Sequence, residues 1–213
     1  MVGEELLALG IELGYCARPG EVEVRVIGSS AQISRADEII RHHLSAHLVS
    51  DDLRTLEEVL VASLTDRRET LATAESCTGG AIANRITNVP GASAVFLEGF
   101  VTYANEAKTR ALGINPELIE KYGAVSESVA RAMAEGARTS SNADYAISTT
   151  GIAGPGGGTD EKPVGTVFIA VASRQRGTMV EKLFFPTDRQ RFKELVSQMA
   201  LNLLRKAMKS ATE

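Results

Sequence analysis

Hydrophobic and polar positions alternate in two different ways along this 213-residue chain. From residue 69 onward, short apolar runs are separated by segments in which apolar residues recur every three or four positions. The runs predict strands, and the recurring positions predict helices that bury one face. Alternating elements of this kind indicate a layered α/β/α domain. Five strands are predicted, at 71–74, 95–103, 145–150, 166–173 and 178–185.

The linkers between these strands predict how the strands pair. Only a short polar stretch separates the last two strands, which favours an antiparallel hairpin. Helical segments join the first three strands, which favours parallel pairing through right-handed crossovers. The sheet is therefore expected to be mixed and mostly parallel. Helices are predicted at 78–87, from Asn105 to Gly113, from Asn115-Pro116 to Gly123, from Ser126 to about Thr139, and from Thr187 or Asp188.

The N-terminal residues follow a weaker pattern. The alternating run Val22–Val26 predicts a half-buried strand after the turn at Pro19-Gly20, and residues 33–48 predict a helix. A second helix, running to Leu64, is expected to be capped by Asp51 or Asp52. We therefore predict a small α/β module over residues 1–52 and the larger domain over residues 53–213.

Composition and charge disfavour several classes of protein. The net charge is −4 and the pI about 5.5, which disfavours nucleic-acid binding because that function requires a basic surface. No apolar run approaches membrane length, and the two cysteines form no disulfide framework. We expect a cytoplasmic protein without a membrane or nucleic-acid partner.

Three polar segments follow the ends of three predicted strands, at 74–80, 102–108 and 149–158. In open α/β sheets the ligand crevice lies outside the carboxyl ends of the strands. The three segments are therefore expected to converge on one site, which indicates an enzyme.

The first segment contains a candidate nucleophile. Ser76 follows a strand, precedes a predicted helix and is followed by Thr78, Gly79 and Gly80. Free N–H groups at a helix N-terminus favour negative charge and are able to hold an oxyanion. The alternative is that Ser76 simply caps the helix. Cys77 is a rival nucleophile, but its side chain is expected to point away and to be buried.

A serine nucleophile needs a base, and the usual base is histidine. All three histidines, His42, His43 and His47, lie in the small module. Lys108 and Tyr103 remain as candidates, because a lysine in a water-poor pocket loses its proton more easily. The alternative places Lys108 on an exposed helical turn and Tyr103 at a strand end, without chemistry. His43 and His47 are one helical turn apart but lack an obvious third ligand, so no metal is expected.

The third segment leads into a glycine-rich loop from Gly151 to Gly165. It matches neither a P-loop nor a dinucleotide fingerprint, because no Gly-Lys-Ser/Thr and no helix follow it. Its backbone N–H groups are able to surround a phosphate, although a flexible loop is an equal alternative. Lys162 and Arg189 are candidate phosphate partners.

Together, the motifs Ala-Glu-Ser-Cys-Thr-Gly-Gly, Gly99–Lys108, Gly151–Pro155 and Lys162–Val167 resemble the C-terminal domain of the CinA proteins over roughly residues 55–208. The resemblance implies a nicotinamide-nucleotide amidase that needs neither metal nor cofactor. It implies that Ser76 is the nucleophile and that Tyr103 and Lys108 assist proton transfer. Residues expected to bind the substrate or the oxyanion are Thr78, Gly79, Gly80, Asn105, Thr150, Gly151, Gly154, Lys162 and Arg189.

The N-terminal residues resemble part of the KH-like middle region of full-length CinA proteins. They lack a Gly-x-x-Gly loop and a basic surface, so RNA binding is not expected. The expected partner is a small nucleotide substrate, and the resemblance also implies a homo-oligomer. The alternative function is a non-catalytic nucleotide-binding or regulatory module.

Overall fold

The computed structural model describes residues 2–209, and the chain divides between Thr55 and Leu56 into two compact units. The first unit is a β-hairpin with two helices. A core of Leu6, Ile11 and Ala36 holds these elements together. Its elements are α1 (Val2–Leu7), β1 (Glu12–Arg18), β2 (Glu21–Ile27) and α2 (Ser30–Leu44).

The sequence pattern identified one strand of this hairpin and missed the other. Strand β1 has apolar residues at alternate positions, but the residues between them, Gly14 and Cys16, are not polar. The alternation of apolar and polar residues that predicts a half-buried strand is therefore weak here. Helix α2 begins earlier than predicted, because Ser29 and Gln32 form a capping box.

The second unit carries the candidate site. Its larger elements are connected by short loops, apart from the long segment between β5 and β6. They are α3 (Leu56–Arg67), β3 (Leu71–Glu75), α4 (Ala81–Thr87), β4 (Phe96–Val101), α5 (Asn105–Leu112), α6 (Pro116–Tyr122), α7 (Glu127–Ser141), β5 (Tyr145–Gly151), β6 (Thr166–Ser173), β7 (Gly177–Phe184) and α8 (Arg189–Lys209).

The five strands of this unit form one mixed sheet in the order β4-β3-β5-β6-β7. Strand β3 pairs in parallel with β4 and β5, whereas β6 is antiparallel to both of its neighbours. Four strands therefore run in one direction and β6 runs against them. The mixed, mostly parallel α/β/α sheet predicted from the sequence is confirmed, including the final hairpin.

Helices cover both faces of the sheet. Helix α7 packs across one face together with α5 and α6, and α8 packs on the other with α3 and α4. The core beneath α7 is built from small and medium side chains such as Ala72, Ala146 and Met133. Small residues let the helix approach the sheet closely, which suits a chain with few aromatic residues.

Three helix starts differ from the sequence prediction. Helix α3 begins at Leu56, and Asp52 accepts hydrogen bonds from the backbone and side chain of Arg54 instead of capping it. Helix α4 begins at Ala81 instead of residue 78. The cap of α5 is Ala104, and Asn105 is its first helical residue. In each case the backbone conformation before the helix decides where the helix begins. The presence of a residue type that commonly caps helices does not by itself identify that position.

Within residues 2–209, none of the helices combines the length and the apolar character that crossing a bilayer requires.

Candidate active site

The three polar segments predicted to converge do meet at one edge of the sheet. Strands β3, β4 and β5 are parallel neighbours, so their carboxyl ends lie side by side. The Ser76 N–H donates to the Thr149 carbonyl at 3.0 Å, and the Thr102 N–H donates to the Glu75 carbonyl at 2.9 Å. These bonds tie the segment after each strand to its neighbour and form a crevice edge of the expected kind.

The centre of this edge is a contact between Ser76 and Lys108. The Lys108 Nζ lies 3.2 Å from the Ser76 Oγ, within hydrogen-bonding distance. Lys108 lies one turn into α5, whose direction after β4 turns this side chain inward, and only 1% of the residue is exposed. A hydroxyl in contact with a buried amine is an arrangement suited to covalent catalysis.

Burial changes the protonation equilibrium of Lys108. Burial lowers the pKa of Lys108, while the nearby Glu106 carboxylate opposes that shift. Within the described residues, Lys108 forms no ion pair with a carboxylate, and its ammonium instead faces the carbonyls of Thr102 at 2.9 Å and Tyr103 at 3.2 Å. A lysine that is buried without a carboxylate partner is easier to deprotonate than one in water.

Tyr103 lies beside this pair, but its hydroxyl points elsewhere. The Tyr103 backbone carbonyl contacts Lys108, whereas the hydroxyl accepts a hydrogen bond from Arg189 Nη2 at 2.9 Å. The residue is 60% exposed. Ser76 and Lys108 are therefore in direct contact, and the structure shows no hydrogen bond from the Tyr103 hydroxyl to either of them.

A buried carboxylate shapes the turn that carries Ser76. Glu75 is fully buried, and its carboxylate accepts hydrogen bonds from the backbone N–H groups of Gly80, Ile82 and Ala83 at 2.8–3.1 Å. The free N–H groups expected at this helix N-terminus are therefore occupied. Because α4 starts at Ala81 and its cap is Gly80, Ser76 does not cap the helix.

The remaining side chains of the turn face inward. The hydroxyls of Thr78 and Thr149 are hydrogen-bonded at 2.7 Å, and both residues are buried. Cys77 is also buried, as predicted, and burial raises the pKa of its thiol to about 12. A thiol with so high a pKa is protonated at neutral pH and is a poor nucleophile.

Gly79 and Gly80 adopt the left-handed backbone conformation, with φ of 62° and 93°. Other residues rarely adopt this conformation, so the double glycine is needed to shape the turn. Gly79 is exposed, and a Cβ at this position would lie 3.7 Å from the Nζ of Lys193, a residue of α8. The Lys193 ammonium therefore lies close to the turn that carries Ser76.

The glycine-rich loop contributes to the same edge through only part of its length. The Gly154 carbonyl accepts a hydrogen bond from Arg189 Nη1 at 3.1 Å, which links the loop to α8. Gly151 packs tightly, since a Cβ there would lie 2.8 Å from the Thr166 carbonyl. The Thr150 hydroxyl donates to the Ala124 carbonyl and is occupied.

Two other predicted residues show no contact with Ser76 or Lys108. The Lys162 ammonium donates to the Tyr122 carbonyl at 2.9 Å, at the end of α6. Asn105 is exposed at the start of α5. Their roles in substrate binding stay predictions. Within residues 2–209 there is also no group of three histidine, cysteine or acidic side chains arranged to hold a metal.

Sequence reasoning missed two residues of this site. Glu75 belongs to the first motif, and its position just before a helix start was an available signal, since carboxylates stabilise helix N-termini. Lys193 lies over a hundred residues from Ser76 in sequence. Its only signal was its position four residues after Arg189, on the same face of the last helix.

Comparisons with known proteins agree with this architecture. A CinA-like protein from Akkermansia muciniphila is 50% identical over 192 residues, covering 90% of this chain and 46% of that protein. A CinA-like protein from Geobacter sp. is 48% identical over 197 residues, covering 91% of this chain and 47% of that protein. The chain thus spans about half the length of the curated relatives it matches.

Solved structures match roughly three quarters of the chain. The competence/damage inducible protein CihA from Agrobacterium tumefaciens is 39% identical with a TM-score of 0.70, covering 75% of this chain and 97% of that one. A competence or damage-inducible protein from Enterobacter asburiae is 36% identical with a TM-score of 0.68, covering 71% and 95%. Residues 53–208 match the CinA C-terminal domain. The chain therefore belongs to the CinA C-terminal domain family.

Proposed function

We propose that this chain is an amidohydrolase that converts nicotinamide mononucleotide and water to nicotinic acid mononucleotide and ammonia. The observation that supports this proposal most directly is the 3.2 Å contact between the Ser76 Oγ and the Nζ of buried Lys108. The choice of substrate and of amide hydrolysis follows from the family resemblance, and the Ser76–Lys108 pair supports the transfer of an acyl group to serine.

In the first half-reaction, neutral Lys108 accepts the hydroxyl proton of Ser76 while Oγ bonds to the carboxamide carbon. The tetrahedral intermediate then collapses, and the carbon–nitrogen bond breaks as the Lys108 ammonium returns the proton to the departing nitrogen. Ammonia leaves and an ester to Ser76 remains. Lysine suits both steps because it is neutral before Ser76 attacks and charged before ammonia leaves.

In the second half-reaction, water attacks the ester carbon. Lys108 accepts a proton from that water and returns it to Ser76 as the carbon–oxygen bond breaks, which releases the carboxylic acid. The carbonyls of Thr102 and Tyr103 hold the Lys108 Nζ in place throughout, at 2.9 and 3.2 Å. No proton relay through the Tyr103 hydroxyl is required.

The oxyanion needs donors other than the first amides of α4, because Glu75 occupies those. On the turn itself, the backbone N–H of Thr78 faces no protein acceptor within the described residues. We assign this N–H the role of oxyanion donor. A preorganised backbone donor in a buried position stabilises developing charge strongly.

Arg189 is the residue best placed to orient the rest of the substrate. Its guanidinium bridges Tyr103 and Gly154 and retains further N–H donors that point at no carboxylate within the described residues. A phosphate group is a natural ligand for a guanidinium in this position. Free nicotinamide lacks that group and should be a poor substrate, because remote binding energy positions the reacting amide.

The experiment is ammonia release from nicotinamide mononucleotide by wild type, Ser76→Ala and the exposed control Ser140→Ala. We expect Ser76→Ala to lose at least about 10³-fold in kcat while the control keeps its activity, since loss of a nucleophile is that costly. Circular dichroism checks that all three chains are folded.

Retained activity in Ser76→Ala would overturn the mechanism. An inactive but folded wild type that still binds the mononucleotide would favour the alternative of a non-catalytic nucleotide-binding module.

A further inference from the structure

Thr102 carries a buried hydroxyl that the proposed mechanism does not use. The residue directly follows β4 and is only 2% exposed. Within residues 2–209, its Oγ1 has no hydrogen-bond partner. Most buried polar side chains in proteins have at least one partner, because a buried hydrogen bond left unmade lowers stability. A buried hydroxyl with a free valence beside a candidate active site is suited to binding a ligand.

Thr102 lies opposite Ser76 on the neighbouring strand. The last registered pair of β3 and β4 is Glu75 with Val101. The Thr102 N–H then donates to the Glu75 carbonyl at 2.9 Å, which continues the parallel ladder by one residue. Ser76 and Thr102 are therefore side by side. Adjacent strands are about 4.8 Å apart, so both side chains are able to contact one ligand.

The two side chains also share one face of the sheet. Ala74 and Phe100 both pack in the core beneath α7. Ser76 and Thr102 come two residues later on their strands, and positions two apart face the same side. The buried side chain of Lys108 comes from α5, which packs against α7 on this face. The two hydroxyls and the amine therefore lie on the same side of the sheet edge.

The contacts of Lys108 indicate which substrate atom comes to this place. Its Nζ donates to the carbonyls of Thr102 and Tyr103, at 2.9 and 3.2 Å. In the neutral amine, the lone pair is left for the Ser76 Oγ. After serine has attacked, the same Nζ must protonate the leaving nitrogen, which therefore lies within hydrogen-bonding distance of it. Since Nζ is held against Thr102, the leaving nitrogen also lies beside Thr102.

We propose that the Thr102 hydroxyl accepts a hydrogen bond from the leaving NH₂ group and thereby selects primary amides over esters. The inference rests on the proposed amidase function and names the residue that recognises its leaving group. A primary amide keeps an N–H for this acceptor while its nitrogen receives the proton from Lys108. A methyl ester has no hydrogen on the corresponding oxygen. A site that hydrogen-bonds a substrate N–H discriminates against an analogue without it, because a buried polar group is then left unpaired.

Thr73 provides a matched control on the opposite face of the sheet. It is fully buried, and its Oγ1 also has no hydrogen-bond partner in the described part of the chain. A Cβ at Gly99 would lie 3.2 Å from the Thr73 Oγ1 and 3.3 Å from the Cβ of Ala83, a residue of α4. The Thr73 hydroxyl therefore faces α4. Thr73→Val removes the same atom at similar burial and leaves the face that carries Ser76 unchanged.

The first test measures binding without turnover. In the Ser76→Ala background, isothermal titration calorimetry compares nicotinamide mononucleotide with the methyl ester of nicotinic acid mononucleotide. Adding Thr102→Val should lower the preference for the amide about ten-fold, since one hydrogen bond is lost, and adding Thr73→Val should change it by less than about two-fold. Thr102→Ser keeps the hydroxyl and should keep the preference. An unchanged preference with Thr102→Val, or no binding of either compound, would overturn the inference.

The second test measures selectivity during turnover. Both compounds give nicotinic acid mononucleotide, so one chromatographic assay follows both reactions. The ratio of kcat/KM for the amide to kcat/KM for the ester should fall about ten-fold in Thr102→Val and stay constant in Thr73→Val and Thr102→Ser. Thr102→Ala also removes the hydroxyl and should show the same fall, so the result does not depend on one folded variant. Equal losses for amide and ester would indicate a structural role and overturn the inference.

The two proposals fail separately. If wild type releases no ammonia but the Ser76→Ala chain prefers the amide through Thr102, the amidase proposal fails and amide recognition stands. If wild type is active and Thr102→Val keeps the amide preference in both tests, the recognition role fails and the amidase proposal stands.

Discussion

At the scale of single residues, the proposed chemistry depends on where Lys108 places its amine. The side chain is buried, contacts the Ser76 Oγ and faces two backbone carbonyls. Burial lowers its pKa, because a charged amine loses hydration there. The same lysine on an exposed turn would keep an ordinary pKa of about 10.4 and would accept a proton from serine less readily.

The pKa of Lys108 predicts the pH dependence of activity. The base acts in its neutral form, so kcat/KM should rise with pH through the lowered pKa of Lys108 and then level off. Glu106 raises that pKa, so Glu106→Gln should move the rising limb to lower pH, by less than about one unit. Initial rates of ammonia release across a pH series measure both effects. A rising limb that stays in place in Glu106→Gln would contradict this electrostatic account.

Tyr103 offers a prediction that separates two versions of the mechanism. Its hydroxyl bonds to Arg189 and not to the Ser76–Lys108 pair. Tyr103→Phe should therefore raise KM by about three- to ten-fold through a less ordered Arg189, and leave kcat within about three-fold. Steady-state kinetics with the mononucleotide measure this split. A loss of kcat comparable to that of Ser76→Ala would instead show that the hydroxyl relays the proton.

At the scale of elements, the site depends on how the turn after β3 enters α4. The Glu75 carboxylate binds three backbone N–H groups around this turn, and Gly79 and Gly80 adopt left-handed conformations within it. The turn therefore has one well-defined shape, which directs Ser76 toward the end of β4. A fully buried carboxylate is stable here because backbone donors replace its water.

Replacing Glu75 with glutamine should destabilise the protein. The variant loses the charge that strengthens three hydrogen bonds and places an amide donor against backbone donors, so the free energy of unfolding should fall by about 2–4 kcal/mol. Urea unfolding at neutral pH measures this change. Glu120→Gln, at an exposed position of α6, is the control and should differ from wild type by less than about 0.5 kcal/mol. Equal stability of both variants would mean that the turn does not need the carboxylate.

The packing of α7 against α5 gives a second prediction at this scale. A Cβ at Gly136 would lie 2.3 Å from the Leu112 carbonyl oxygen, closer than atoms can approach. Although alanine favours helices, Gly136→Ala should lower the free energy of unfolding by about 1–3 kcal/mol, because backbone must move. Gly156→Ala is the matched control, since no atom lies within 4 Å of a Cβ there. Thermal or urea unfolding compares the two, and a stabilised Gly136→Ala would refute the close approach.

At the scale of the whole molecule, the candidate site belongs to the larger unit. Ser76, Lys108 and Arg189 all lie after residue 55. Two solved structures match over 97% and 95% of their own chains, and these matches cover 75% and 71% of this chain. The larger unit, residues 56–213, makes up a similar share of this chain. Compact units with their own core commonly fold alone.

A chain of residues 53–213 should accordingly fold and keep kcat/KM for the mononucleotide within about three-fold of the full chain. A chain starting at residue 70 is the contrast. It lacks α3, whose Leu56, Leu60 and Leu64 are buried, and should be much less stable. Ammonia release and thermal unfolding of the two chains provide the measurement. An inactive but folded 53–213 chain would show that the smaller unit contributes to activity.

Local patterns in the sequence were sufficient to predict the α/β/α architecture, the five strands of the larger unit and the final hairpin. These features depend on hydrophobic periodicity and turn residues that lie close together in the chain. The convergence of the three motifs was also predictable, since the carboxyl ends of parallel strands share one edge. Strand β1 and the start of α4 were not, because Gly14 and the turn at 76–80 depart from the periodic patterns.

The sequence by itself determined the class of fold and the edge of the sheet where chemistry is expected. Only the tertiary structure decided which groups touch there. It placed Lys108 against Ser76, turned the Tyr103 hydroxyl toward Arg189, filled the α4 amides with Glu75 and brought Lys193 to Gly79. Such contacts join residues from separate elements, and they depend on packing geometry that no periodic pattern encodes.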